Sequence, residues 1–242
     1  MNNRWQSFWD GYRNEEARSE GDLFVQVGKT IARQPIPRHV FESMVERIID
    51  RLELGREDHL LDMCCGNGLV SYELGAIVER VTAVDFAAHL IAAAKAFKSL
   101  PNMKYLVGDV SSPIGEMLGA SGTGAHTPGK FLMNDALAYF EPESLDRIVR
   151  NIAAVRGGKP FRLLLTGIPN AARKWNFYDT EERKARHLEN IRNGDVENEG
   201  MGRWWESSEI EYIAALHGLY VDVEDQPVAI SEYRMDALLW RA

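Results

Sequence analysis

The chain has 242 residues, 45% of them hydrophobic and 26% charged, an ordinary globular composition with room for one α/β domain plus appended segments. With 36 acidic and 28 basic residues the formal net charge is −8, which excludes general duplex nucleic-acid binding by phosphate neutralisation. The two cysteines, Cys64 and Cys65, are adjacent and could not bridge without strain, so a reducing, cytoplasmic setting is expected.

The start of the chain, Met1 to Asp10, lacks the apolar core of a signal peptide, and no run of eighteen apolar residues occurs, so no membrane partner is expected. Residues 1–51 are helical in pattern with early aromatics, and are expected to form an N-terminal helical lid. Residues 52–169 alternate strands and helices. His59 to Cys64 is a short buried strand, and Gly66-Asn67-Gly68 turns into a helix near Leu69. Arg80 to Asp85 is a second strand, followed by an alanine-rich helix over 87–98. Met103 to Val107 is a third strand, Lys130 to Met133 a fourth and Phe161 to Thr166 a fifth. Leu145 to Val155 reads as an amphipathic helix. The segment Gly119 to Gly129, with four glycines and a proline, is expected as a flexible surface loop. Residues 170–206 are polar and aromatic, a candidate substrate-lid insertion. Residues 207–242 read as a helix and a final hairpin, Leu219–Val223 with Val228–Leu239. Apolar strands separated by helices predict a doubly wound, Rossmann-like parallel sheet, and the hairpin adds one antiparallel strand.

In such a sheet, ligands bind beyond the carboxyl ends of the strands. Three features converge there. Asp62-Met63-Cys64-Cys65-Gly66-Asn67-Gly68 offers a tight turn and a helix N-terminus. Asp85, ending the second strand, can accept hydrogen bonds from both hydroxyls of a ribose. Asp109, after Gly108, can accept from an adenine amine while Val110 and Phe86 pack on the ring. Asp62 stands four residues before Gly66, where it would repel a pyrophosphate and suit a cationic partner.

These three motifs at this spacing resemble the class I S-adenosylmethionine-dependent methyltransferases over about residues 40–241. The resemblance implies a seven-stranded sheet with the last strand antiparallel, and S-adenosylmethionine as cofactor. It places Asp62, Gly66 and Gly68 at the methionine end, with Cys64 and Asn67 in the same loop. It puts Asp85 on the ribose, Asp109 on the adenine, and Asn134 and Asp135 beside the methyl group. Ala87, where the family often has serine, and Gly129, where an acid often precedes the fourth strand, depart from the pattern. A narrower similarity, carried by Gln26–Thr30, Gly167–Asn170, Lys174–Tyr178 and Tyr233–Asp236, runs to small-molecule methyltransferases of bacterial surface-polysaccharide clusters, including those linked to the O-methyl group of capsular phosphoramidate.

A hydroxyl acceptor needs a base within reach, and Asp135 and Tyr139 are the nearest candidates; Asp135 reads equally well as a helix cap. Lys29, Arg33 and Arg38 fall in a stretch without acids, which in an acidic protein points to a small anionic substrate. Lys29 is the first choice, since it follows Gly28 in a poorly helical stretch. Trp9 and Trp205 are the aromatic candidates for the substrate wall. The six histidines show no ligand spacing, so no metal is expected. The alternatives are a nicotinamide-dependent oxidoreductase, which would have to seat a pyrophosphate beside Asp62, and a catalytically silent adenosine-binding module.

Overall fold

The computed structural model describes residues 3–11, 17, 19–31, 33–119, 127–194 and 201–242. Most of the glycine-rich loop expected at 119–129 lies outside the described residues. The N-terminal segment contains α1 (Asn3–Gly11) and α2 (Glu20–Gln26), the latter capped by Ser19, whose hydroxyl accepts the Asp22 N–H at 3.2 Å. A two-stranded hairpin follows, β1 (Thr30–Ile31) with β2 (Gln34–Pro35). Sequence periodicity gave no sign of it, because its strands are two residues each. Helix α3 (Arg38–Leu52) buries Phe41, Val45, Ile48 and Leu52, the 3.6-residue spacing of a one-faced helix.

The core sheet takes up the apolar runs in turn: β3 (His59–Met63), β4 (Arg80–Asp85), β5 (Met103–Val107), β6 (Lys130–Asn134) and β7 (Phe161–Pro169), all parallel. The hairpin β8 (Tyr220–Asp225) and β9 (Arg234–Arg241) completes the order β5-β4-β3-β6-β7-β9-β8, with β9 antiparallel to both its neighbours. This is the seven-stranded sheet with an antiparallel final strand. Helices α4 (Leu69–Gly75), α5 (Ala88–Phe97), α6 (Ile114–Leu118), α7 (Pro142–Arg156) and α10 (Ser207–Leu216) connect the strands. Burying both sheet faces produces two apolar cores. One holds Leu61, Met63, Phe131 and Trp205, the other Phe41, Leu60, Leu132 and Leu164.

Two strand boundaries differ from the sequence reading by three residues or more. The last strand begins at Arg234 and not at Val228, because residues 227–231 form a turn in which the Ile230 and Ser231 N–H groups both donate to the Pro227 carbonyl. The fifth core strand runs on to Pro169, and its pairing with β9 shifts register between Leu165 and Ile168. Between β7 and α10 lie α8 (Lys174–Phe177) and α9 (Glu181–Asn193). No helix among the described residues is long and apolar enough to cross a membrane.

Candidate active site

The chain reverses direction across the sheet between β3 and β6, so the carboxyl ends of β3, β4 and β6 frame a crevice. The loop after β3 is bent to fit it: Cys64, Gly66 and Gly68 all take positive φ, at 62°, 56° and 78°. A side chain at Gly68 would strike the Tyr105 hydroxyl, which closes that side of the helix start. The Asp85 carboxylate holds the loop in place. One oxygen accepts the Gly66 N–H at 2.8 Å and the other the Ala87 N–H at 2.9 Å. Each oxygen keeps a further lone pair for a ligand hydroxyl. Burial pushes the Asp85 pKa up, against these backbone donors.

Asp62 lies deeper, almost wholly buried. Burial pushes its pKa up to about 7, opposed by the Ser71 hydroxyl, which donates to it at 2.5 Å. The adjacent thiols part company. Cys64 packs against one core and Cys65 against the other, and burial pushes both pKa values up, so neither is an activated nucleophile.

The N-terminal segment covers this loop. The Asn67 side-chain amide donates to the Leu23 carbonyl at 2.8 Å and to the Gln26 side-chain oxygen at 2.9 Å. Trp9, Val27 and Lys29 thereby reach the same cavity as Asp62, Asp85 and Phe86. The opposite wall is Asn134, Asp135, Ala136 and Tyr139. Lys29 Nζ donates to Asp135 Oδ2 at 2.6 Å, and Arg234 Nη1 donates to Asp135 Oδ1. Burial raises the Asp135 pKa, but Lys29 and Arg234 outweigh it, and the net effect holds the carboxyl below its ordinary range. Tyr139 is sandwiched by Trp5 and Trp9, at 4.8 and 5.5 Å between ring centroids.

Of the residues singled out from sequence, Asp62, Cys64, Gly66, Asn67, Asp85, Phe86, Asn134, Asp135, Tyr139, Lys29 and Trp9 line one cavity. Gly68 shapes it from behind. Asp109 and Val110 do not line it: Asp109 accepts the Ser111 N–H at 2.8 Å, and Val110 is buried in the core. Trp205 requires a correction. It is fully buried, its indole N–H donates to the Leu137 carbonyl at 3.1 Å, and it forms part of the sheet's core and not a substrate wall. Asp135 is not a helix cap either, since both its oxygens are held by cations. Sequence reading missed Arg234 as a partner of this site. It also missed His89, which lies close enough to Asp85 to lower the carboxyl's pKa. The available signal for the histidine was its place four residues after the strand-end Asp85, in the first turn of the helix that follows.

The cavity fits an amino-acid nucleoside. The Asn134 side-chain oxygen is buried without a hydrogen-bond partner among the described residues, a place for an ammonium donor. Asp85 offers ribose acceptors, and Leu69, Val70 and Leu90 add apolar surface.

Residues 61–117 match the family described as a methyltransferase domain, a span running from Asp62 past Asp85 and Asp109. No curated protein matches the chain. Among solved structures, the chain is similar to magnesium protoporphyrin IX methyltransferase from Synechocystis with bound S-adenosylhomocysteine, at 16% identity, TM-score 0.57, covering 99% of this chain and 94% of that one. It is also similar to the DhpI–SAM–HEP complex, at 16% identity, TM-score 0.54, covering 93% of this chain and 100% of that one. A third is a SAM-dependent methyltransferase from Methanosarcina mazei, at 16% identity, TM-score 0.55, covering 80% and 95%. The structural likeness gives the fold, and the family match covers the stretch that carries Asp62, Asp85 and Asp109. Residues 61–117 thus match a methyltransferase domain, on a chain whose fold is shared with these methyltransferase structures.

Proposed function

We propose that the enzyme methylates an oxygen of a small anionic metabolite. The observation that carries this reading is the Lys29–Asp135 pair on the wall with Asn134, backed by Arg234, two cations on one carboxylate in a protein of net charge −8. Asp85 would hold the ribose hydroxyls, Asn134 and Asp62 the amino group, and Phe86 the adenine ring, with Asp109 and Val110 next to that end. S-adenosylmethionine supplies an electrophilic methyl on a sulfonium. Transfer is an in-line displacement in which the acceptor oxygen's lone pair forms the O–C bond while the S–C pair returns to sulfur.

The chain's part is alignment and exclusion of water, with Trp9 and Tyr139 forming an apolar collar over the wall. Asp135 remains charged, but its engagement with Lys29 and Arg234 makes it a weak base, and Tyr139 is held by ring packing. That combination favours an acceptor oxygen already ionised on arrival, so that no proton has to move. Phosphates, carboxylates and the phosphoramidates of surface polysaccharides fall within this class.

The test is to supply methyl-labelled S-adenosylmethionine with a panel of small phosphates, phosphonates, phosphoramidates and carboxylates, beside neutral sugars and amines. Label on an anionic oxygen is expected. Label confined to the neutral sugars or the amines would overturn the reading.

A further inference from the structure

We propose that Arg234 is the anchor for the acceptor's oxyanion, a specificity-determining residue set one side chain behind the cavity wall. The inference rests on the methyl-transfer reading above and deepens it.

Three backbone departures meet at this arginine. Asp135, a residue with a Cβ, holds a φ of 55° directly after β6. Gly167 holds a φ of 73°, and a Cβ there would overlap the Asp135 carboxylate and lie 3.2 Å from Arg234 Nη1. The β7–β9 register shift between Leu165 and Ile168 falls on that glycine, whose carbonyl accepts from Arg234 Nη1 at 3.0 Å. Strained positions of this kind persist where function selects for them. A purely structural ion pair needs no such construction, and the molecule contains the comparison. Arg47 pairs with buried Asp236 at 2.6 Å to tie α3 to the final hairpin, and Asp236 also accepts from Thr166, the Gly167 N–H and Gln226. That carboxylate is saturated by donors.

Arg234 is the reverse case. Its Nη1 donates to Asp135 and to the Gly167 carbonyl at 3.0 Å, and the Tyr233 side chain is a further partner of the guanidinium. A guanidinium has five N–H donors in a planar fork, so the Nε–Nη2 edge has donors to spare. The side chain remains 26% exposed. Lys29 and Arg234 against Asp135 leave one net positive charge. The surroundings strengthen it: the Tyr233 ring lies 5.5 Å from the guanidinium, backed by Phe177 at 4.9 Å and Trp204 at 6.0 Å between centroids. Aromatic walls exclude water and raise the value of a bidentate oxyanion contact.

The probe is inorganic phosphate, titrated calorimetrically into the full chain with and without saturating S-adenosylhomocysteine. Wild type is expected to bind phosphate. Arg234→Gln should weaken it at least tenfold, and Arg234→Lys, which keeps the charge but loses the fork, should fall between. Arg173→Gln, at an outlying arginine paired with Asp225, should leave phosphate binding unchanged. Unaltered S-adenosylhomocysteine affinity in Arg234→Gln would show that the variant is folded. Equal phosphate affinity in wild type and Arg234→Gln, or no phosphate binding by wild type, would overturn the proposal. Loss of the cofactor-product titration in wild type would instead strike the methyltransferase reading, while the phosphate arm without it still reports on Arg234.

Discussion

The two walls of the cavity are assembled by different routes. The cofactor wall comes from one stretch of chain: β3, its glycine loop, and β4 ending at Asp85, with contacts spanning 19 positions from Gly66 to Asp85. The proposed acceptor wall is gathered from three distant places, Lys29 and Asp135 being 106 positions apart and Asp135 and Arg234 a further 99. A local wall can be written as a motif. A gathered wall exists only once the sheet has set its strand order. The cofactor wall should therefore fail through single contacts, and the acceptor wall through changes in the backbone that brings its parts together.

The largest effect is expected on the local wall. Asp85→Ala removes the ribose acceptors and the loop's anchor. S-adenosylhomocysteine affinity should fall about 100-fold, the scale of two charge-assisted hydrogen bonds, as read by calorimetry. Next comes Gly167→Ala, whose added Cβ would overlap the Asp135 carboxylate and push the gathered wall apart. It should cost about 1–3 kcal/mol of stability, read as a lower unfolding temperature, and should abolish phosphate binding while cofactor-product binding survives. Asn67→Ala loosens the N-terminal segment from the loop. About 1 kcal/mol of protection should disappear from amides around Leu23 to Lys29 in hydrogen exchange, with the sheet unaffected.

A further effect is a pH dependence. Asp62 has a folded pKa of about 7, raised from an ordinary 3.8 mainly by burial. The folded state therefore holds the proton more tightly than the unfolded one. Asp62's contribution to ligand-free stability should be full below about pH 4, decline as pH rises from 4 to 7, and level off above that. Asp62→Asn should flatten this decline in thermal melts, with wild type and variant diverging as pH rises. An unchanged slope would mean that Asp62 is already ionised in the ligand-free protein.

These differences follow what was legible in the sequence. The alternation of apolar runs with helices gave the sheet, and the hairpin without an intervening helix gave its antiparallel strand. Asp62, Gly66, Asn67 and Asp85 were readable because turn chemistry and strand ends are local properties. Lys29 was readable as a charge excess. Its partner Arg234 was not, because its role depends on a register shift between strands far apart in sequence. Asp135 was readable as a carboxylate at a strand end, but its two cations arrive from other elements. Trp205 was misread because clustered aromatics look alike in sequence, whether they line a cavity or fill a core. The stitching of Trp205 to Pro169 and Ala171 by backbone hydrogen bonds puts it in the core.

A crystal structure with S-adenosylhomocysteine tests the central claim most directly. The account predicts the ribose hydroxyls on Asp85, the amino group near Asn134 Oδ1 and Asp62, and the sulfur facing the Lys29–Asp135 pair. A ligand lying with its amino-acid arm at Asp85, or outside this cavity, would contradict it.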